Sequence, residues 1–183
     1  MAERTGRMPA GDVALREVAP VRVAELTATA VSYRPEDIGA VIGPLYSELL
    51  RRLAAAGVAP AGGPAIAYYS DPACPSDAVI VHAGIPVAAG PQPGGGFSVV
   101  DLPAIRPAAV IIHRGGRRDV RQSLWDLAGW IEDHGYLAVG YHREVYLDHD
   151  PDDAGRVVTE LQVGVTPTAG RGACSARSAG PGR

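Results

Sequence analysis

Two glutamates, Glu144 and Glu160, carry the side chains in this chain best suited to chemistry, because both sit in alternating stretches that read as paired strands. In His142-Arg143-Glu144-Val145-Tyr146-Leu147-Asp148 the alternation sends Val145 and Leu147 to one face and His142, Glu144, Tyr146 and Asp148 to the other. In Thr159-Glu160-Leu161-Gln162-Val163-Gly164-Val165 it separates Leu161, Val163 and Val165 from Glu160 and Gln162. A turn in Asp150-Pro151-Asp152-Asp153, centred near position 152, predicts Glu144 opposite Glu160, and a bulge in the loop would slip that register by two. Like charges so opposed cost a strand pair roughly 0.2–1 kcal/mol, and burial raises at least one of the two pKa values. Such a pair suits a bound cation, or a general base of raised pKa. The alternative is a wet polar face, the usual state of one side of an antiparallel sheet.

Other candidates gather around the same face. Tyr69 and Tyr146 could offer ring faces to a delocalised cation or simply pack across the sheet. His82 could line a cleft or be a hydrogen-bonded histidine with no ligand. Trp125 flanks a helix stripe and could stack on a ligand or pack at the helix edge. His142 and Glu144 share a face but no third or fourth ligand is evident, so no metal and no cofactor are expected. Ser70, Ser76 and Ser123 lack the glycine context of a nucleophile elbow. His113-Arg114-Gly115-Gly116-Arg117-Arg118 lacks phosphate-loop spacing and reads as a solvated basic turn.

The elements that must hold these residues have clear marks. Pro35, Glu36 and Asp37 open a helix whose stripe is Ile38, Val41, Ile42, Leu45, Leu49 and Leu53, and Gly57 ends it. A second helix starts near Asp119, with Gln122 placed for a capping box; Val120, Leu124, Leu127, Ala128 and Ile131 form its stripe and Gly135 ends it. Strands are expected near 21–32, 64–70, 78–87, 97–101, 105–114, 139–148 and 157–165, with the fifth of these starting after Pro107. Residues 1–14 read as a flexible arm, 15–166 as one domain and 167–183 as a disordered tail. The net charge of −3 supplies no field for nucleic acid. Cys74 and Cys174 show no metal or disulfide spacing, and no apolar run nears the roughly 20 residues of a spanning helix, so a cytoplasmic protein without membrane contact is expected.

The segments 21–87 and 105–166 repeat one plan, strand-helix-strand-strand, with Gly57 matching Gly135, Tyr69-x-Asp71 matching Tyr146-x-Asp148, and Gly84 matching Gly164. On that alignment Ala67 and Ile80 of the first copy stand where Glu144 and Glu160 stand in the second, so one wall of a cleft between the copies would be apolar and the other acidic. The runs Leu102-Pro103-Ala104 to His113-Arg114-Gly115, Trp130 to Tyr136, Arg143 to Leu147 and Thr159 to Val163 together resemble the GyrI-like small-molecule-binding domain, also called the bacterial transcription-activator effector-binding domain. The resemblance covers about 20–166. It implies an α+β fold of duplicated βαββ modules, antiparallel sheets with two helices on one side and a ligand cleft between the halves. The family's ligand-facing glutamate maps best onto Glu144, then Glu160, with Gln162 assisting; His82 and Gly164 stand where relatives often carry an acidic residue and a proline.

The resemblance and the acidic strand face together imply a stand-alone protein that senses or sequesters a lipophilic, cationic aromatic compound. Some relatives hydrolyse cyclopropane-bearing DNA-alkylating natural products, so a hydrolase using Glu144 or Glu160 is the second reading. An adaptor for a regulator or topoisomerase is the third. The short N-terminal arm leaves no room for a helix-turn-helix, so direct nucleic-acid contact is not expected.

Overall fold

The computed structural model describes residues 12–73, 76–90, 95–116, 119–149 and 157–168. Both cysteines, the Pro91–Gly94 connection, the Asp150–Asp153 turn, Arg117-Arg118 and most of the expected arm and tail lie outside them. The chain forms β1 (Ala14–Val18), β2 (Val21–Ala30), α1 (Pro35–Ala55), β3 (Ala65–Ser70), β4 (Val79–Pro86), β5 (Ser98–Leu102), β6 (Ile105–Arg114), α2 (Val120–Asp133), β7 (Tyr136–His149) and β8 (Val157–Pro167). All eight strands join one antiparallel sheet in the order β1-β6-β8-β7-β3-β4-β2-β5. The α+β class and the duplicated modules stand as expected, and the modules meet edge to edge at β3 and β7.

The repeat unit is one strand longer than the sequence plan. β1 leads into β2 through Ala19-Pro20, and β5 leads into β6 through Pro103-Ala104. Neither leading strand pairs with the strand it precedes. β1 crosses to β6 of the second half, and β5 crosses to β2 of the first. The exchange is sealed by matching ion pairs: Arg22 to Asp101 at 2.8 Å, and Arg106 to Glu17 at 3.3 Å. β6 begins at Ile105 rather than after Pro107, because the β1–β6 register shifts between Arg16 and Val18 and the proline falls opposite that irregularity, where a missing N–H costs no ladder bond.

Both helices lie on one face. The stripe of α1 packs Ile42 against Ala67, Tyr69, Val79, Val81 and Ala83, with Ile38 and Leu45 beside them. The stripe of α2 packs Leu127 and Ile131 against Ala109, Ile111, Leu161 and Val163. Gly57 and Gly135 adopt φ +67° and +74° just past the helix ends, as a helix stop requires. The expected capping box is absent: Asp119 makes no side-chain cap bond, and Gln122 donates instead to Asp126 at 3.0 Å. Where the repeat places Gly84 and Gly164, the backbone of the neighbouring strand comes close. A Cβ on Gly164 would lie 3.1 Å from the Val139 carbonyl oxygen, and one on Gly84 would lie 3.3 Å from that of Ile66. Backbone gives way poorly, so Gly164→Ala should lower stability by about 1–3 kcal/mol in urea denaturation. A variant as stable as the parent would show that the strands have slack there.

Candidate functional site

The register of the β7–β8 hairpin decides which carboxylates can meet. Irregularities between Val139 and Arg143 and between Tyr146 and Asp148 set Glu144 opposite Leu161, and Val145 opposite Glu160. The expected opposition of Glu144 and Glu160 is therefore wrong by one residue. Side chains alternate at every residue, so this slip puts the two glutamates on opposite faces of the sheet. Glu144 shares the helix-bearing face with Leu161, and Val145 packs on the far face with Val23, Ile66 and Leu102.

On the helix face, β7 presents His142, Glu144 and Tyr146 in succession. β3 pairs Ala67 directly with Glu144, which brings Tyr69 alongside. Three donors converge on the Glu144 carboxylate. The Tyr69 hydroxyl donates to Oε1 at 2.7 Å, His142 Nε2 to the same oxygen at 3.2 Å, and the Tyr146 hydroxyl to Oε2 at 2.9 Å. Its side chain is 13 % exposed. Burial pushes the carboxyl pKa up. The bonds from His142, Tyr69 and Tyr146 and the His142 charge more than offset this and hold it below the usual value of 4.5. Burial and the neighbouring Glu144 charge push the Tyr69 hydroxyl well above 10, so it remains a donor.

The walls above this carboxylate come from both helices. Ser32 Oγ donates to Asp37 Oδ2 at 2.5 Å and accepts from the Arg34 N–H at 3.1 Å, which fixes the turn into α1. That turn carries Tyr33 over the site, tilted on Tyr69 (5.5 Å between ring centres) and stacked on Tyr141 (6.0 Å, 14°). The Tyr69 ring lies 4.8 Å from the His142 imidazole. With Pro35 and Ile38 of α1 and Val120, Arg121 and Leu124 of α2, these groups enclose a cup of about 60 Å³. Its floor is one ionised carboxylate and most of its wall is aromatic or aliphatic. No arginine pairs with Glu144 among the described residues, and no three potential metal ligands cluster there.

Four sequence candidates lie elsewhere. Glu160 is on the far face, paired with Arg16 and accepting from Gln162 Nε2 at 2.6 Å. Gln162 is buried there with it. His82 is also on the far face, because β3 pairs Tyr68, not Tyr69, with it. Its ring stacks on Tyr68 (4.3 Å), its Nδ1 donates to Glu25 at 3.1 Å and its Nε2 lies 2.9 Å from Ser70 Oγ. Ile80, opposite Ser70, lies on that face too, so Ala67 and Tyr69 do not share a surface with Ile80 and His82. Trp125 is 62 % exposed, outside the cup, with the Arg121 guanidinium 5.1 Å above its ring. Sequence reasoning missed Tyr33 and Arg121 as lining residues. Tyr33 sits just before the helix-opening Pro35, and Arg121 one turn before Trp125, but neither falls in a periodic pattern that marks a wall.

The separation of faces makes a test. Glu160→Gln should leave cationic dye affinity within about twofold of the parent in a fluorescence titration, since it acts on the wrong side of the sheet. A loss of tenfold or more would return Glu160 to the site.

A family model described as the GyrI-like small molecule binding domain matches residues 12–166. No curated protein matches the chain. Among solved structures, the crystal structure of the EcmrR C-terminal domain is similar at 23 % identity and a TM-score of 0.69, over 86 % of this chain and 99 % of that one. The chain spans 59 % of EcmrR as seen in its DNA complex, with a TM-score of 0.70. SAV2435 bound to tetraphenylphosphonium is similar at 13 % identity and a TM-score of 0.58, covering 85 % and 94 % of the two chains. A hydrolase encoded by lin2189 from Listeria innocua is similar at the same identity and score, covering 86 % and 93 %. At these identities the likeness is one of fold. Among the described residues no helix is long and apolar enough to cross a membrane.

Proposed function

Because this chain belongs to the GyrI-like small molecule binding domain family, we propose that it binds lipophilic organic cations, with Glu144 as the counter-charge. One observation carries the reading: an ionised carboxylate, nearly buried, roofed by tyrosine rings and bonded, among the described residues, by neutral hydroxyls and a histidine. Buried carboxylates ordinarily keep a permanent cationic partner. Here, among the described residues, the ion-pair partner is His142, cationic only when protonated; an incoming organic cation would supply a permanent one, and the ring faces would add about 0.5–2 kcal/mol of cation–π attraction. A relative in fold, SAV2435, is seen with tetraphenylphosphonium, which supports that compound as a first probe. Titration of the full chain with tetraphenylphosphonium and rhodamine 6G should give saturable binding that Glu144→Gln abolishes.

The hydrolytic reading called for Glu144 or Glu160 as a base of raised pKa, and Glu160 lies across the sheet from the cup, paired with Arg16. The surviving carboxylate has its pKa lowered, which favours a standing counter-charge over a base poised near neutrality. Sensing, sequestration and service to a regulator are all compatible with the same binding event.

A further inference from the structure

At about 60 Å³ the cup is far below the roughly 300–1,000 Å³ of a drug-sized site, too small by itself for an aromatic cation. Larger spaces adjoin it on two sides. Toward the start of α2 lies an open hollow of about 540 Å³ lined by Arg34, Arg121 and Asp77 together with Tyr33, Leu124 and Trp125. Along β7 in the other direction lies a trough of about 550 Å³ under the second half of α1, bounded by Ser47, Leu50, Ala65, Ile85 and Val157. Among the described residues none of the trough's lining side chains is charged. Tyr146 borders both the cup and this trough. Its hydroxyl holds Glu144 and its ring meets Tyr46 edge-on at 6.0 Å.

We propose that the trough beneath α1 is the seat of the ligand's apolar body, and that Tyr146 is a movable partition between that seat and Glu144. The proposal rests on the counter-charge reading above. The ligand class is a monocation, quaternary or delocalised, with a compact aromatic body and no acidic group. Charge selects the trough over the hollow: two arginines against one aspartate disfavour a cation there, whereas among the described residues no charged side chain lines the trough. Size agrees, since about 300–1,000 Å³ is the range of drug-sized sites. When Tyr146 swings aside, its hydroxyl leaves Glu144 Oε2 and the ligand's positive end takes that place. The freed ring can turn a face to the cation.

Ala65 pairs directly with Tyr146, and Gly43 lies on α1 above the trough with open space around its would-be Cβ. Gly43→Trp should therefore fill the trough, fold normally and weaken rhodamine 6G and tetraphenylphosphonium about tenfold or more. Ser47→Trp, at an exposed helix position, repeats the test should the first variant fold poorly. Tyr146→Phe should tighten both probes several-fold, because the ligand no longer displaces a hydroxyl from Glu144. Unchanged affinity in a folded tryptophan variant, with Arg121→Ala tightening binding instead, would place the ligand in the arginine-lined hollow and overturn the proposal. That outcome leaves Glu144→Gln inactive and the counter-charge reading standing. Full binding by Glu144→Gln would remove the counter-charge reading itself, whatever the trough variants do.

Discussion

Glu144→Gln should abolish high-affinity binding of tetraphenylphosphonium and rhodamine 6G, with the chain still folded. The amide keeps the shape of the site and can still accept from Tyr69 or Tyr146 through its carbonyl. It removes the charge, and a cation desolvated in the cup would then lack its partner. Losing one member of a buried charge pair costs about 2–5 kcal/mol in binding, a factor of 30 to several thousand in Kd. Glu144→Asp keeps the charge but withdraws it by one methylene, and should fall between the two. The pH dependence comes from the lowered pKa of Glu144. A carboxyl depressed in the folded chain contributes above its unfolded pKa and loses that contribution as pH falls through the folded value. Affinity should therefore stay level from neutrality down to the ordinary carboxyl range and drop only below 4.5. A titration that declines already between pH 7 and 6 would show that another group governs binding.

Ala67→Glu should be the most damaging single change to stability near the site. Ala67 is fully buried in the α1 core and pairs with Glu144 across the β3–β7 seam. A second carboxylate there would face the first at about 4.5–5.5 Å between Cβ atoms, with no cation to share. The expected loss is about 3–5 kcal/mol in urea denaturation, from overpacking and from an uncompensated buried charge. Ala67→Gln separates the two causes, since it adds the volume without the charge. Its advantage over Ala67→Glu should be greatest at neutral pH and shrink in acid, where the raised pKa of the new carboxyl lets it become neutral. A cost below about 1 kcal/mol would mean that water reaches this seam freely.

The helices were legible because their apolar stripes recur at three and four residues and positive-φ glycines stop them, and those signals are local. Glu144, Tyr146 and Tyr69 were legible as one cluster because each is fixed by alternation within its own strand. Glu160, Gln162 and His82 were assigned to the wrong side because their placement depends on how strands register against each other. In the hairpin, the irregularity between Tyr146 and Asp148 changes the pairing by one residue, and a second, beside Gly140 at φ +71°, changes it by two. A bulge leaves little trace in hydrophobic patterning when both strands have apolar residues on each face. The polar tie of Glu25, His82 and Ser70 draws on three separate strands, so no linear motif announces it.

The crossed pairing of β1 with β6 and β5 with β2 has a bearing on ancestry. Had one such unit once existed as a separate polypeptide, its first strand would have lain on the second strand of a sibling, as β1 now lies on β6. Two identical molecules would thus have interlocked by trading arms, and fusion of their genes would have turned that embrace into a single chain. The buried carboxylate of Glu144 then belongs to one side alone, where the other half carries Ala67, since duplication freed each half to diverge.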